Sequence, residues 1–483
     1  MPPLVLFLII VGYFSLLMLM ARLTSRHRSD TTFFDGDRKS PWFLVAFGMI
    51  GSGISAVSLV SIPGNVGNEN LYYFQFILGT LAGYLFIAFV LLPVFYKQQL
   101  VSIYGYLQRR FGSVTYKTGA TFFVVSQSFG AALRLLLSVK ILQSAFFDAF
   151  QLPYFLTIVV VLVLIWLYTH QSGVKTIVWT DALQSFFLIV VIVISIWTIC
   201  TSLGYPLSQL GQLITQQPTF RFFDWQLSSG TYFFKQFIAG FLITVALVGL
   251  DQSMMQKTLT VKNAHDAQKN VLTFSFFIAF AQTLFLLLGV LIYLFAKEKG
   301  IALPQENGKY TAPDELYPLL TLHYFGRVGT VAFLIGVVAS TFASIDSCIT
   351  ALTTSISYDF FAVDTKTTAQ KIRIKNGVLL GVNALMFVIV MFFWNSQGAI
   401  INAIFKIAGY TYGPLLGLYL MGFFTKLTPQ ENRVPWACIL AAVGTYALNT
   451  MLEQQGFDLG FLNIFVNALL TCLLLWFIRN KHD

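Results

Sequence analysis

The sequence predicts an all-α protein that crosses a membrane about thirteen times. Of its 483 residues, 57% are hydrophobic and only 10% are charged, and the mean hydropathy is +0.74. Apolar runs long enough to cross a bilayer recur from one end of the chain to the other. Basic residues collect in alternate connections between these runs, which is typical of multi-pass membrane proteins.

The first span is predicted over residues 4–21. Its positive charges follow the apolar run, whereas a cleavable signal peptide carries them in front, so we expect this span to be retained. At about 17–25 residues for each crossing, the apolar runs predict twelve further spans. They lie at 43–64, 71–96, 118–147, 153–169, 176–203, 235–256, 272–296, 328–358, 376–395, 400–425, 434–452 and 457–478.

The basic loops predict the orientation of the chain. An external amino terminus places most of the 30 Lys and Arg residues on the cytoplasmic side, including the cluster from Lys257 to Lys269. The carboxyl terminus is then cytoplasmic as well. These loops account for the net charge of +10, so we expect a lipid bilayer and no nucleic acid as a partner.

The span at 43–64 contains residues that disfavour a continuous helix. Gly48, Gly51 and Gly53 are followed by several serines and by the Pro63-Gly64 pair. A membrane span tolerates a broken backbone only where protein or a polar cavity satisfies the freed groups, as in transporter binding sites. An equally good interpretation is a face of small residues that lets helices approach. Pairs at Gly79/Gly83, Gly377/Gly381 and Gly413/Gly417 also predict close helix contacts.

Arg134 lies near the middle of its span, where a charge is costly. One interpretation is a carboxylate partner within the protein. The other is that the guanidinium holds an anionic group of a solute, such as a carboxylate, through two hydrogen bonds.

Two carboxylates and a run of hydroxyls also fall inside predicted spans. Asp181 fits either a charge near a helix start or a cation or proton site. Ser340 and Ser344 are one helical turn apart, with Thr341 beside Ser340. Such oxygens suit a small hard cation, although hydroxyl-mediated helix packing would give the same pattern. Asp346 is a further carboxylate with no partner evident in the sequence.

The sequence argues against an enzyme. The largest polar insert, 297–327, holds no catalytic motif, and the five histidines lie apart in or near polar connections. The four cysteines have no paired spacing, so neither a disulfide nor a zinc site is expected.

Several segments, taken in order, resemble the sodium:solute symporter family. They are ISAVSLVSIPG (54–64), SGVKTIVWTDALQ (172–184), DQSMMQKTLTVKNAHDAQKN (251–270), VVASTFASIDS (337–347) and AGYTYGPLLGLYLMGFFTK (408–426). The resemblance extends from about residue 31 to residue 426 and is strongest to the bacterial sodium/sialic-acid symporter branch.

The resemblance implies a LeuT-type fold of two inverted five-helix repeats. The spans at 43–64 and 235–256 would then be a pair of broken helices. The implied divisions are an extra amino-terminal span and cytoplasmic loop at 1–42, the first repeat at 43–203, the second repeat at 235–425 and two peripheral helices at 426–483.

The family's main sodium site falls, by motif, on three carbonyls and two hydroxyls of this chain. The carbonyls belong to Gly51, Ile54 and Val337, and the hydroxyls to Ser340 and Thr341. A possible second sodium site would use Asp181 and Ser344 together with Ser340. A hydroxyl ligand of that second site in the sialic-acid branch aligns with Ala343, so one sodium per cycle is expected.

The resemblance also implies solute contacts. They fall on Ser55 and Ser58 of the first broken helix, on Tyr73, and on Arg134 as the residue that holds a carboxylate. A substrate-binding glutamine of the branch aligns with Ile77, and Gln75 is the nearby candidate for its role.

The sequence thus predicts a sodium-coupled symporter that imports a small, carboxylated, sialic acid-like solute by alternating access. A sodium symporter for a neutral sugar, an amino acid or a vitamin, and a proton-coupled transporter of the same fold, are the alternatives. We expect a monomer in the bacterial inner membrane.

Overall fold

The structure, a computed structural model, describes residues 8, 11–19, 40–100, 102–171, 174–306, 308–396 and 399–480. Two short strands, β1 (Gln305–Glu306) and β2 (Lys309–Tyr310), form an antiparallel hairpin outside the helices. The helices that position the site are α1 (Trp42–Gly53), α2 (Ala56–Glu69), α3 (Tyr73–Gln98), α4 (Gly105–Phe111), α5 (Ser113–Phe150), α6 (Tyr154–Gln171), α7 (Val174–Leu203), α8 (Leu210–Thr215), α9 (Phe233–Gly249), α10 (Gln252–Thr258), α11 (Ala264–Glu298), α12 (Pro313–His323), α13 (Gly326–Phe360), α14 (Thr368–Phe393), α15 (Ile400–Phe424), α16 (Val434–Gln454) and α17 (Asn463–Phe477).

The helices agree with the predicted spans. Within the described ranges, eight unbroken helices and two bent pairs are long and apolar enough to cross a membrane. Each predicted span from 43–64 onward coincides with a helix or a bent pair. The predicted span at 4–21 falls largely outside the described residues, of which 11–19 are helical. The all-α class is confirmed, whereas the total of thirteen spans stays a prediction.

Two spans are broken where the sequence predicts a break. Helices α1 and α2 meet at 57°, and α9 and α10 meet at 66°. At the first break, Ile54 and Ser55 have extended backbone, with φ and ψ of −100° and 99° and of −86° and 170°. However, α2 continues through Pro63 to Glu69, so the predicted end of the span at Pro63 and Gly64 is wrong. Neighbouring helices can satisfy the backbone around a proline in a membrane span.

The glycines before the first break serve close packing. A Cβ atom on Gly48 would lie 2.7 Å from the backbone oxygen of Val178 in α7, and one on Gly51 would lie 2.6 Å from that of Asp181. The two interpretations of this stretch are therefore compatible, because α1 packs through its glycines and the helix breaks just after them.

Two of the three predicted glycine pairs lie at close helix contacts. Gly79 and Gly83 face the backbone of α9, and Gly413 and Gly417 face α17. By contrast, a Cβ atom on Gly377 or Gly381 would meet no described atom within 4 Å. That prediction is wrong, because spacing alone does not say whether a glycine face points at a helix.

Candidate functional site

The first break leaves backbone groups of a buried segment without helical partners. The N–H of Ile54 still donates to the Ile50 carbonyl at 2.9 Å, which closes the last turn of α1. Ser55 precedes α2, but its side chain makes no capping hydrogen bond. The last carbonyls of α1 and the first amides of α2 are therefore available to a ligand. The carboxyl end of a helix is the end that favours a cation.

The predicted hydroxyl ligands lie on α13, which packs against α1. The Ser340 hydroxyl donates to the Val337 carbonyl at 3.1 Å, and the Thr341 hydroxyl donates to the same carbonyl at 2.6 Å. Both side chains are buried. The five oxygens predicted for the main sodium site thus belong to two helices in direct contact.

Arg134 lines a small cavity between helices of the bundle. The cavity lies between α5, α9 and α15, and its walls include Gln127, Leu247, Ile404 and Tyr412. Among the described residues, the guanidinium makes no ion pair with a carboxylate. Its Nη1 lies 3.5 Å from the Cys348 sulfur. The arginine therefore presents hydrogen-bond donors to a cavity without using them on an acidic side chain.

The second break contains a carboxylate for which the sequence suggested no role. Asp251 precedes α10, and its carboxylate accepts hydrogen bonds from the backbone N–H groups of Ser253 at 2.8 Å and Met254 at 3.4 Å. The Tyr412 hydroxyl donates to the same carboxylate at 2.5 Å. Asp251 is thus a helix cap inside the protein. An aspartate just after a helix-ending glycine was the available signal.

Asp181, Lys257 and Asp346 form what we call the buried charge cluster. The Lys257 ammonium donates to Asp181 at 2.5 Å and to the Ser347 hydroxyl at 2.7 Å, and that hydroxyl lies 3.1 Å from the Asp346 carboxylate. Assigning Lys257 to a cytoplasmic loop is wrong, because α10 carries it into the protein, where it is 3% exposed. Two carboxylates within predicted spans were the signal that a cation should lie nearby.

The residues predicted for a second sodium site adjoin this cluster. One oxygen of Asp181 is held by Lys257, whereas its other oxygen has no hydrogen-bond partner within the described part of the chain. The same holds for the buried hydroxyl of Ser344. Positive charge is therefore already present on one side of Asp181.

The remaining predicted solute contacts do not share one cavity. Tyr73 lines a second small cavity, together with Glu69 of α2 and Ile401 of α15. Ser55 is buried at the first break, and Ser58 is half-buried in the first turn of α2.

Gln75 has a different environment from the one predicted for a solute ligand. Its amide nitrogen donates to the carbonyls of Thr231 at 2.8 Å and Tyr72 at 3.1 Å, and its oxygen accepts from the Asp224 backbone at 2.9 Å. One amide hydrogen and the amide oxygen thus hold the connection before α9, and the other amide hydrogen bonds to the residue before α3. In that connection, desolvation would raise the pKa of Asp224, but hydrogen bonds led by the Thr231 hydroxyl lower it.

Sequence comparison relates the chain to known transporters. A model of the sodium:solute symporter family matches residues 33–431. The chain is 23% identical, over 82% of its length, to the human sodium/iodide cotransporter, and the match covers 61% of that protein. It is 22% identical to the sodium/sialic acid symporter NanT of Aliivibrio fischeri, with 83% and 79% of the two chains covered. It is 23% identical to mouse sodium-coupled monocarboxylate transporter 2, with 85% and 65% covered.

Solved structures share the fold. A Na⁺-coupled sialic acid symporter in a substrate-bound outward-open state superposes with a TM-score of 0.82, at 17% identity, and 99% of each chain is covered. The nucleobase-cation-symport-1 family transporter MHP1 in a closed conformation gives a TM-score of 0.54 at 13% identity, with 92% and 94% covered. These similarities confirm the predicted LeuT-type fold. The family match extends over most of the sequence, and it confirms the predictions of a membrane transporter that is not an enzyme and that uses sodium as its coupling ion. The chain therefore belongs to the sodium:solute symporter family.

Proposed function

We propose that this protein is a sodium-coupled symporter that imports a small carboxylated solute of the sialic acid type. One observation carries the proposal: Arg134 lines a cavity between helices and has no acidic side chain paired with it among the described residues. A half-buried guanidinium within a membrane span needs an anionic or hydrogen-bonding partner, and a carboxylate can accept two parallel hydrogen bonds from it. Arg134 is then the residue that holds the solute carboxylate.

The relatives support an anionic solute. Those compared above are named for iodide, sialic acid and monocarboxylates. These ions share a negative charge, which is the feature that an arginine would recognise. An anionic solute is therefore favoured over the neutral alternatives.

The solute site proposed here extends from the Arg134 cavity towards that of Tyr73. Ile404 lines the first cavity and Ile401 the second, so the cavities are about one turn apart along α15. Movement of α15 would join them and admit a solute larger than either cavity now holds. Ser55 and Ser58 would contact the polar part of the solute from the first broken span. Gln75 is not included, because the connection before α9 uses its amide.

The proposed sodium site consists of the carbonyls of Gly51, Ile54 and Val337 and the hydroxyls of Ser340 and Thr341. Oxygen ligands suit a small hard cation. The Ser340 hydroxyl donates to the Val337 carbonyl, so its oxygen keeps lone pairs for an ion. The Thr341 hydroxyl contacts both that carbonyl and the Ser138 hydroxyl, so sodium would replace hydrogen bonds at Val337 and Thr341 when it binds. Sodium would then connect α1 to α13.

We propose one sodium ion per cycle. The Lys257 ammonium already contacts Asp181, and a second sodium beside that carboxylate would be repelled by a like charge. Lys257 would thus supply the positive charge that another ion would otherwise bring.

The proposed cycle is alternating access between two inverted repeats at 43–203 and 235–425. Sodium from outside would bind first and stabilise an outward-open arrangement, to which the solute then binds. Coupling requires that each ligand strengthen the binding of the other, typically by about 1–3 kcal/mol. The membrane potential adds about 2.3 kcal/mol per 100 mV for each net charge moved. We place the protein in the bacterial inner membrane as a monomer, with its amino terminus outside.

Uptake by purified protein in liposomes tests this proposal. A labelled sialic acid should accumulate against its gradient when sodium is outside, and replacing sodium by choline at fixed pH should stop this. Arg134→Ala should abolish accumulation, and Arg134→Lys should restore little because an ammonium cannot form the fork of two hydrogen bonds. The methyl ester of the same sugar, which lacks the charge, should not be transported.

The results against the proposal are equally definite. Full uptake by the Arg134→Ala protein would make this arginine structural. Uptake that persists in choline but needs a pH gradient would indicate a proton-coupled transporter. Transport of a neutral sugar, amino acid or vitamin in place of the carboxylated sugar would overturn the solute class.

A further inference from the structure

The second small cavity, which Tyr73 lines, contains an acidic side chain to which the proposed function gives no role. Glu69, the last residue of α2, lines this cavity together with Tyr73 of α3 and Ile401 of α15. Glu69 is half-buried. A carboxylate inside a small cavity loses water and needs hydrogen-bond donors in its place. The surroundings of Glu69 therefore indicate which kind of group it would bind.

Glu69 is held by neutral side chains. Its carboxylate accepts a hydrogen bond from the Asn402 amide at 3.4 Å, which is long for such a bond, and Asn65 also donates to it. Among the described residues, no basic side chain forms an ion pair with it. Lys309 and Asp458 face it from other segments, and their opposite charges partly offset each other. The carboxylate thus has the capacity to accept further hydrogen bonds.

The position of Glu69 at the end of α2 adds to its need for a donor. The helix ends at this residue, and its last turn contains no basic side chain. The carboxyl end of a helix carries a partial negative charge, which disfavours a carboxylate there. A hydrogen-bond-donating or positively charged group of a ligand would offset this repulsion.

The side of α2 that carries Glu69 also carries a predicted solute contact. Positions separated by three or four residues share one side of a helix. Four residues of α2 have this spacing: Ser58, Ile62, Asn65 and Glu69. All but Ser58 line the cavity of Tyr73, which lies about one helical turn along α15 from the Arg134 cavity. A solute whose carboxylate binds Arg134 would therefore present its opposite end to Glu69.

We propose that Glu69 determines solute specificity by accepting hydrogen bonds from a hydroxyl or ammonium group at the end of the solute opposite its carboxylate. The inference rests on the proposed function, because it requires that the solute carboxylate bind Arg134. In a sugar acid of the sialic acid type, the donors are the hydroxyls of its glycerol side chain. A small anion such as iodide has no such donor, and a second negative charge on the solute would be repelled by Glu69.

Competition with the uptake of labelled sialic acid into liposomes tests the inference. The competitors are the unlabelled sugar acid and an analogue whose glycerol side chain has been shortened by periodate and borohydride, which removes two hydroxyls. The parent should bind the full sugar about tenfold more tightly, as expected for hydrogen bonds to a charged group. Glu69→Gln, which exchanges the carboxylate for a neutral amide, should lose most of this preference and bind the shortened analogue as the parent does.

Two control variants separate this role from a structural one. Asn402→Ala removes the contact between α15 and Glu69 but keeps the carboxylate, so the preference for the full sugar should remain. Glu306→Gln changes an exposed acidic residue of the β1–β2 hairpin and should leave both affinities unchanged. If Glu69→Gln keeps the preference of the parent, or if it weakens the binding of both sugars equally, Glu69 does not contact the solute and the inference is overturned.

The charge at the far end of the solute gives a second test. An analogue with an amino group in place of the terminal hydroxyl should compete at least about tenfold better than an analogue with a carboxyl group at that position. Glu69→Gln should remove most of this difference. A parent that binds the carboxyl analogue as well as the amino analogue would contradict the inference.

The outcomes distinguish this inference from the proposed function. A parent that does not bind the sugar acid at all refutes the proposed function. If the parent binds it and Arg134→Ala does not, the proposed function stands, and the preference of Glu69→Gln then tests this inference alone. If Glu69→Gln alters only the sodium dependence of uptake, the carboxylate binds a cation and not the solute, which also overturns the inference.

Discussion

The two broken spans have similar bends but differ in how the backbone at the break is satisfied. At the first break, between α1 and α2, the side chain of Ser55 makes no capping hydrogen bond. At the second, between α9 and α10, Asp251 accepts from two backbone N–H groups and is itself held by Tyr412. The first break lacks a side-chain cap and is the proposed ion site, whereas the second is capped by the protein.

This difference shows that a broken helix in a membrane span is not by itself an ion site. Bends of 57° and 66° free comparable backbone groups. A carboxylate at the break takes up the free amides and removes the need for a ligand. The side chain at the junction therefore decides whether the backbone groups at a break are open to an ion or are capped by the protein.

The largest expected effect comes from removing the hydroxyls opposite the first break. Changing Ser340 and Thr341 together to Ala removes two of the five proposed sodium ligands. Contacts of this kind to a charge contribute about 1.5–3 kcal/mol each, so half-maximal uptake should need at least about a hundredfold more sodium. Uptake measured against sodium concentration checks this.

Thr354→Ala is the control for that variant. Thr354 is a buried residue of the same helix, and its hydroxyl donates to the Thr350 carbonyl at 2.8 Å. It should leave the sodium dependence unchanged. An unaltered sodium dependence in the Ser340/Thr341 variant would remove the cation from the first break, and the contrast between the breaks would lose its functional meaning.

A smaller effect is expected from filling the close contact before the first break. A Cβ atom on Gly51 would lie 2.6 Å from the Asp181 backbone oxygen and 2.8 Å from the Ser185 hydroxyl. Overpacking of this kind costs about 1–3 kcal/mol, so Gly51→Ala should lower the melting temperature and weaken sodium binding. Gly381→Ala, where the added Cβ meets no described atom within 4 Å, should do neither. Equal behaviour of the two variants would mean that the approach of α1 to α7 does not position the site.

These comparisons also show what the sequence could reveal. Local features were readable: the glycines and serines of the first break predicted its place, and hydropathy predicted where each later helix lies. The α13 hydroxyls proposed as sodium ligands were recognisable because they are adjacent in sequence. Contacts between distant segments were not readable. Lys257 meets Asp181 through packing across 76 positions of sequence, and the amide of Gln75 is used by a connection some 150 residues away.

Removing the cap at the second break should affect stability more than sodium binding. Asp251→Asn weakens the hydrogen bonds to the first amides of α10, and the loss of a cap costs about 0.5–2 kcal/mol. We therefore expect a lower melting temperature and an unchanged sodium dependence of uptake. A strong shift in sodium dependence would show that the second break takes part in ion binding, and the proposed division of roles would be wrong.

The smallest expected effect isolates the contact between the second break and the solute cavity. Tyr412 lines the Arg134 cavity, and its hydroxyl donates a hydrogen bond to Asp251. Tyr412→Phe removes this bond, which should lower the free energy of unfolding by about 0.5–1.5 kcal/mol. It should also modestly raise the solute concentration for half-maximal uptake. Tyr419→Phe is the control, because the Tyr419 hydroxyl donates to the Ile103 carbonyl at 2.8 Å and not to Asp251. If Tyr412 acts through Asp251, the double variant should lower the melting temperature by less than the sum of the decreases caused by Tyr412→Phe and Asp251→Asn alone. If the two decreases in melting temperature simply add, the Tyr412 hydroxyl acts independently of Asp251 and contacts the solute directly. The second break would then take part in ligand binding.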